Sequence, residues 1–132
     1  MPKITLLFAS LHALLMLLLA VRVVAQRRSA KIGLGDGGDK PLMKKMRAHA
    51  NFVEYVPMAL ILLGLLELSG LGALWLWICG GALLLGRVLH AVGLSRSAGT
   101  SFGRFWGTLL TWGALLLMAG MGVGMSLRWL AG

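Results

Sequence analysis

The sequence predicts an all-α integral membrane protein, a bundle of four membrane-spanning helices with little or no soluble domain. Three observations carry this. Of the 132 residues, 58% are hydrophobic and 13% charged, whereas soluble chains have about 45–50% apolar and about 25% charged residues. The apolar residues fall into four runs, each near the roughly 20 residues that a bilayer-crossing helix needs. The basic residues gather between those runs, and the mean hydropathy of +0.85 survives a net charge of +9.

The first span runs from about residue 4 to residue 25, a leucine-rich stretch broken by Arg22. A cleaved export signal is the competing reading, with Lys3 ahead and Val23-Val24-Ala25 as a cleavage site. The apolar run is long for a signal, and the basic cluster after it opposes export, so an uncleaved helix is expected. A basic loop of about residues 26–45 follows. It holds Arg27, Arg28, Lys31, Lys40, Lys44 and Lys45 against Asp36 and Asp39, around the turn-forming Gly33-Leu34-Gly35-Asp36-Gly37-Gly38. The second span covers about residues 46–68, with Pro57 expected to bend it, and Ser69-Gly70 is a tight turn. The third covers about residues 71–94 and the fourth about 105–128, joined by a connection carrying Arg96 and Arg104. Helix is the state available to all four, because four spans cannot close a β-barrel and lipid leaves no partner for an open backbone.

The charge pattern sets a topology. The first and third connections are basic and are expected in the cytoplasm, which puts both termini outside. That use of the positive charge competes with nucleic-acid binding, for which neither aromatic-basic interleaving nor zinc-ligand spacing is present. The glycine-rich loop lacks phosphate-cradle spacing and a preceding strand. The one cysteine, Cys79, has no intrachain disulfide partner and is expected to pack as a small apolar residue. Gly120 and Gly124 form a G-x-x-x-G pair compatible with close helix approach. Glu67, near the outer end, is expected to reach water.

The second span begins with an expensive stripe. Arg47, Asn51 and Glu54 are spaced i, i+4, i+7, within about 60° of one another on one helical face. Lipid cannot solvate them, so the stripe must face protein, water or a ligand. His49 is out of phase with it, and no second histidine or carboxylate stands at the spacing a zinc site needs. Counted from the cytoplasmic side, Glu54 lies at roughly 13 Å and Arg87 on the third span at roughly 12 Å, taking ~1.5 Å per residue. The depth match predicts a Glu54–Arg87 ion pair, with His90 opposite Asn51. One reading of Arg47, Asn51, Glu54, Arg87 and His90 is a buried network that fixes helix register. The other starts from the surplus of arginines over one carboxylate: cationic donors at a half-dehydrated mouth suit an anion, while Glu54 holds an ammonium group.

The segment Arg47-Ala48-His49-Ala50-Asn51-Phe52-Val53-Glu54-Tyr55-Val56-Pro57 is similar to the helix-two signature of the MAPEG proteins, membrane-associated proteins in eicosanoid and glutathione metabolism. Gly86-Arg87-Val88-Leu89-His90 resembles their helix-three segment, and the glycine-rich loop resembles that of bacterial members. The resemblance covers nearly the whole chain. It implies a homotrimer in a bacterial inner membrane, with glutathione between neighbouring subunits near the cytoplasmic side. It assigns glutathione contacts to Arg47, Asn51, Glu54, Tyr55, Arg87 and, by position, His90. It further implies an arginine that stabilises the glutathione thiolate, for which Arg104 and Arg28 are the candidates.

The chain departs from the family pattern where strongly active members carry tyrosines after the helix-three arginine. Here those places hold His90 and Leu94, and Tyr55 is the single tyrosine. The expected function is therefore glutathione binding with conjugation to lipophilic electrophiles, glutathione acting as co-substrate without a metal, and the partners are the bilayer, glutathione and further copies of the chain. The alternative is a non-catalytic membrane protein whose polar stripe stabilises the oligomer or binds anionic lipid.

Overall fold

The computed structural model describes residues 1–96 and 101–132. Four helices follow in order: α1 Lys3–Ala30, α2 Lys40–Leu68, α3 Ala73–Arg96 and α4 Phe102–Ala131. All four are long and apolar enough to cross a membrane.

The helices outrun the apolar segments, and local chemistry shows why. α1 continues past Ala25 through Arg27 and Arg28, cations that favour the negative end of a helix dipole. It stops at Lys31, whose left-handed φ of 56° turns its N–H back onto the carbonyls of Arg27 and Arg28. α2 starts at Lys40, ahead of the expected residue 46, because the Asp39 side chain caps it, accepting from Leu42 N at 2.6 Å. Pro41 sits in the first turn, where its missing N–H costs nothing. The basic loop shrinks accordingly to 31–39. Arg27 Nη1 donates to Gly35 O at 2.9 Å, and Lys45 Nζ donates to Gln26 Oε1 at 2.7 Å, drawing the end of α1 and the start of α2 together. Ser101 caps α4; of the connection before it, residues 97–100 lie outside the described residues.

α3 is the most enclosed of the four helices. Phe8, Leu63, Leu83, Cys79 and Met118 meet in the main core, and Leu19, Phe52, Val56 and Ala91 form a second cluster towards the basic end. Cys79 is fully buried there, packed as the expected apolar filler. The outer surface is apolar instead, with Leu14, Leu18, Ile61, Leu74, Leu116 and Leu130 exposed. Such a continuous apolar exterior belongs in lipid.

Two details go beyond expectation. Glu67 is half-buried at the outer end of α2, and its carboxylate is tied to the start of α1: its Oε1 accepts from Ile4 N at 2.9 Å and its Oε2 from Thr5 N at 2.7 Å. The carboxylate thereby supplies α1 with the N-terminal acceptor that Pro2 lacks. The close glycine packing also lies elsewhere than Gly120 and Gly124, which have open space around them. It joins α3 to α4. A Cβ on Gly107 would come within 2.6 Å of both Gly86 O and His90 N, and one on Gly93 within 2.6 Å of Arg104 N. Backbones this close require the side chain to be a hydrogen atom.

Candidate functional site

That glycine contact sets the geometry at the basic end. With α3 and α4 backbone to backbone, His90 and Arg104 come to border one cavity of about 190 Å³, completed from α2 by Met43, Lys44, Arg47 and Asn51, with Leu94 as its apolar side. Lys44, Arg47 and Arg104 give this lining three cations, and no aspartate or glutamate is among its described residues.

Arg87 lies behind the cavity, 2% exposed. Its Nη1 donates to Asn51 Oδ1 at 2.7 Å and its Nε to Thr111 Oγ1 at 3.0 Å. Thr111 Oγ1 in turn donates to Gly107 O at 2.8 Å. The guanidinium thus ties α2 to α3 and α3 to α4, and it fixes Asn51 with its oxygen towards Arg87. The Tyr55 ring lies 5.5 Å from the Arg87 guanidinium carbon, a cation–π contact that helps compensate a charge removed from water.

The Glu54–Arg87 ion pair is not formed. Arg87 takes Asn51 and Thr111 as partners, and Glu54 is exposed on the outer face of α2. The physical reason is register: Arg87 stands level with Asn51, one turn before Glu54, and Asn51 faces it while Glu54 turns outward. Of the expected site residues, one chain therefore gathers Arg47, Asn51, His90 and Arg104 around the cavity, with Arg87 and Tyr55 behind it. Arg28 is exposed in the last turn of α1 and, like Glu54, does not line it.

Sequence reasoning missed Lys44 and Thr111. Lys44 counts as loop charge by composition, although Asp39, with Pro41 two residues on, marks the helix start that brings it to the cavity. Thr111 sits one turn after Gly107 and carried no signal beyond being a hydroxyl in an apolar run. A second cavity adjoins the first. It measures about 370 Å³ and is bordered by the cap residue Ser101 and by Phe105, Thr108, Leu109 and Trp112 of α4. Arg104 borders both.

This arrangement coincides with a match to the sequence profile of the MAPEG family over residues 5–124. The chain belongs to the MAPEG family. It is 38% identical over 112 residues to "Inner membrane protein YecN" of Escherichia coli strain K12, and equally to the protein of that name in Escherichia coli O6:H1. The match covers 85% of this chain and 84% of each relative. This MAPEG chain is an integral membrane protein, and the relatives it matches are inner membrane proteins.

Proposed function

We propose that this MAPEG protein binds glutathione at the cationic cavity and conjugates it to lipophilic electrophiles that arrive from the bilayer. The observation that carries the reading is the position of Arg104, shared by a cationic cavity and a largely apolar cleft. A transferase of this kind needs its thiol where a polar, anionic substrate meets an apolar one. Lys44 and Arg47 take a glutathione carboxylate, and the cation of Arg104 lowers the thiol pKa by favouring the thiolate. The thiol proton leaves to water at the mouth. The sulfur then forms a bond to the electrophilic carbon, and the group it displaces departs with its electron pair.

At about 190 Å³ the cavity is smaller than ordinary ligand pockets, which run from about 300 Å³ upward. It takes one end of the tripeptide, and the remainder extends over the chain's outer face. Glu54 stands on that face, where lipid would make a charge cost roughly 3 kcal/mol. An exposed charge on that face supports the homotrimer reading, in which an adjoining copy covers Glu54: Glu54 holds the glutathione ammonium, and Arg28 of that copy closes the site. The charge of the basic connections supports a cytoplasmic mouth with both termini outside.

A second reading has its own support. Arg87, Asn51 and Thr111 satisfy one another within the chain, as a purely structural network would. The two separate in one titration, in which purified protein receives glutathione while ultraviolet thiolate absorbance is followed. We expect saturable thiolate formation, lost in Arg104→Ala with binding retained, and binding weakened about tenfold or more by Arg47→Ala or Glu54→Gln. Absence of binding in the wild-type protein, or indifference to Arg47→Ala and Glu54→Gln, overturns the transferase reading. Binding without thiolate leaves the structural reading.

A further inference from the structure

Arg22 breaks the apolar run of α1, and it lines neither the cationic cavity nor the cleft beside it. It extends the buried stripe of α1, which passes through Thr5, Phe8, His12 and Leu19. The apolar run ends at Ala25, so Arg22 lies about 5 Å inside it at ~1.5 Å per residue. An arginine within a membrane span points to a site, and its partner has to be named. The side chain is half-buried, and its Nη2 donates to Ser95 Oγ of α3 at 3.0 Å. Ser95 Oγ in turn donates to Ala91 O at 2.6 Å. A neutral hydroxyl thus holds the guanidinium across the α1–α3 seam, with one hydrogen bond for a group of five donors.

Among the described residues no carboxylate pairs with Arg22, and the places of the acids show why. The chain has four. Asp36 accepts from Gly38 N, and Asp39 caps α2. Glu67 holds the first turn of α1 at the far end of the bundle. Glu54 stands on the outer face of α2. The charges that accompany Arg22 at its own end are positive. Arg27 and Arg28 follow in the last turn of α1, and Lys45 Nζ donates to Gln26, one turn after Arg22.

We infer that Arg22 binds the phosphate of an anionic phospholipid, in a site at the α1–α3 seam in the leaflet at the basic end of the bundle. Charge complementarity selects the group. Phosphate oxygens accept from the fork of donors that Ser95 leaves free. The accompanying cations select a lipid of net negative charge, because the ammonium of a zwitterionic headgroup would lie among like charges. The surface beside the seam selects a lipid over the free anion. Leu11 and Leu18 share the Arg22 face of α1, Val88 and Val92 share the Ser95 face of α3, and all four are exposed. The helices close on one another where Phe8 packs on Gly80 and meets the Trp77 ring edge-on, with centroids 5.5 Å apart. Phe8 and Arg22 are about 21 Å apart along α1. One leaflet supplies about 15 Å of hydrocarbon, so an acyl chain fits along the seam between them. The site is independent of the glutathione reading, because none of these residues lines the cationic cavity.

The test starts from full-length protein in vesicles of equal parts phosphatidylglycerol and phosphatidylcholine. The protein is extracted, and the lipid that stays bound through detergent washing is counted by native mass spectrometry. We expect one phosphatidylglycerol per chain, preferred about tenfold over phosphatidylcholine. Arg22→Leu, which completes the apolar run, should erase the preference, and Arg47→Ala in the cationic cavity should leave it intact. Equal retention of the two lipids by the wild-type protein overturns the inference without recourse to any variant. Loss of the preference in Arg47→Ala but not in Arg22→Leu overturns it too, and moves the lipid to the cationic cavity. So does displacement of phosphatidylglycerol by inorganic phosphate at constant ionic strength, which would identify a site for the free anion.

Discussion

Replacing Thr111 by valine tests whether Arg87 is held as a buried cation by neutral partners. The exchange keeps side-chain volume and deletes Oγ1, which accepts from Arg87 Nε at 3.0 Å. Hydrogen bonds to charged groups are worth about 1.5–3 kcal/mol, and Arg87 is too enclosed for water to substitute. Thr111 also donates to Gly107 O, but that carbonyl keeps its helical position, so little is lost there. The expected loss is therefore about 2 kcal/mol, read from reversible unfolding in mixed micelles. The double-mutant cycle is the sharper measurement. Arg87→Met removes the charge whose hydrogen bonding Thr111 serves, so adding Thr111→Val to it should cost almost nothing, and the pair should fall short of the sum of the single changes by about 1 kcal/mol or more. Strict additivity, or a Thr111→Val loss below about 0.5 kcal/mol, would refute the proposition that these two side chains hold one another.

Two further changes probe what positions the site. Gly107→Ala places a methyl against Gly86 O and His90 N, backbone atoms that cannot turn aside, and should cost about 1–3 kcal/mol while displacing Arg104; Gly113→Ala, with open space around it, should be neutral or gain up to about 1 kcal/mol in the same unfolding assay. Glu67→Ala removes both acceptors at the start of α1 and should cost about 1 kcal/mol, with amide exchange at Ile4 and Thr5 rising ahead of the rest of α1.

Four spans, their order and the polar stripe on α2 were legible because lipid enforces a blunt rule: about 20 apolar residues cross, and charge does not face outward without a partner. The partner of Arg87 was not legible. A depth argument resolves one helical turn at best, and one turn is what separates Glu54 from Asn51, the residue that Arg87 meets. Glycine was hard to read for a different reason. Gly120 and Gly124 share a spacing with Gly103 and Gly107, yet the latter pair alone meets a facing backbone. Spacing reveals which faces permit close approach. What selects among them is the opposing helix, here α3 with Gly86 and Gly93, and a single helix does not carry that information.

The corrected register strengthens the proposed division of labour between charges. Had Glu54 paired with Arg87, the carboxylate and the buried guanidinium would have neutralised one another inside the bundle, leaving little reason for a ligand. With Asn51 and Thr111 as its partners, Arg87 keeps its charge, and that charge lies directly behind a cavity already lined by Lys44, Arg47 and Arg104. Its field adds to theirs, and burial weakens the screening that water would provide. Glu54, released to the outer face, is then the one acidic group of the stripe, set apart from Arg47 by about two helical turns along α2. A ligand whose carboxylate enters the cavity and whose ammonium reaches Glu54 would satisfy both without either protein charge having to move. If that separation is what selects glutathione, then Glu54→Gln should weaken glutathione more than a glutathione analogue acylated on its amine. Equal losses for the two ligands in parallel titrations would remove Glu54 from the site.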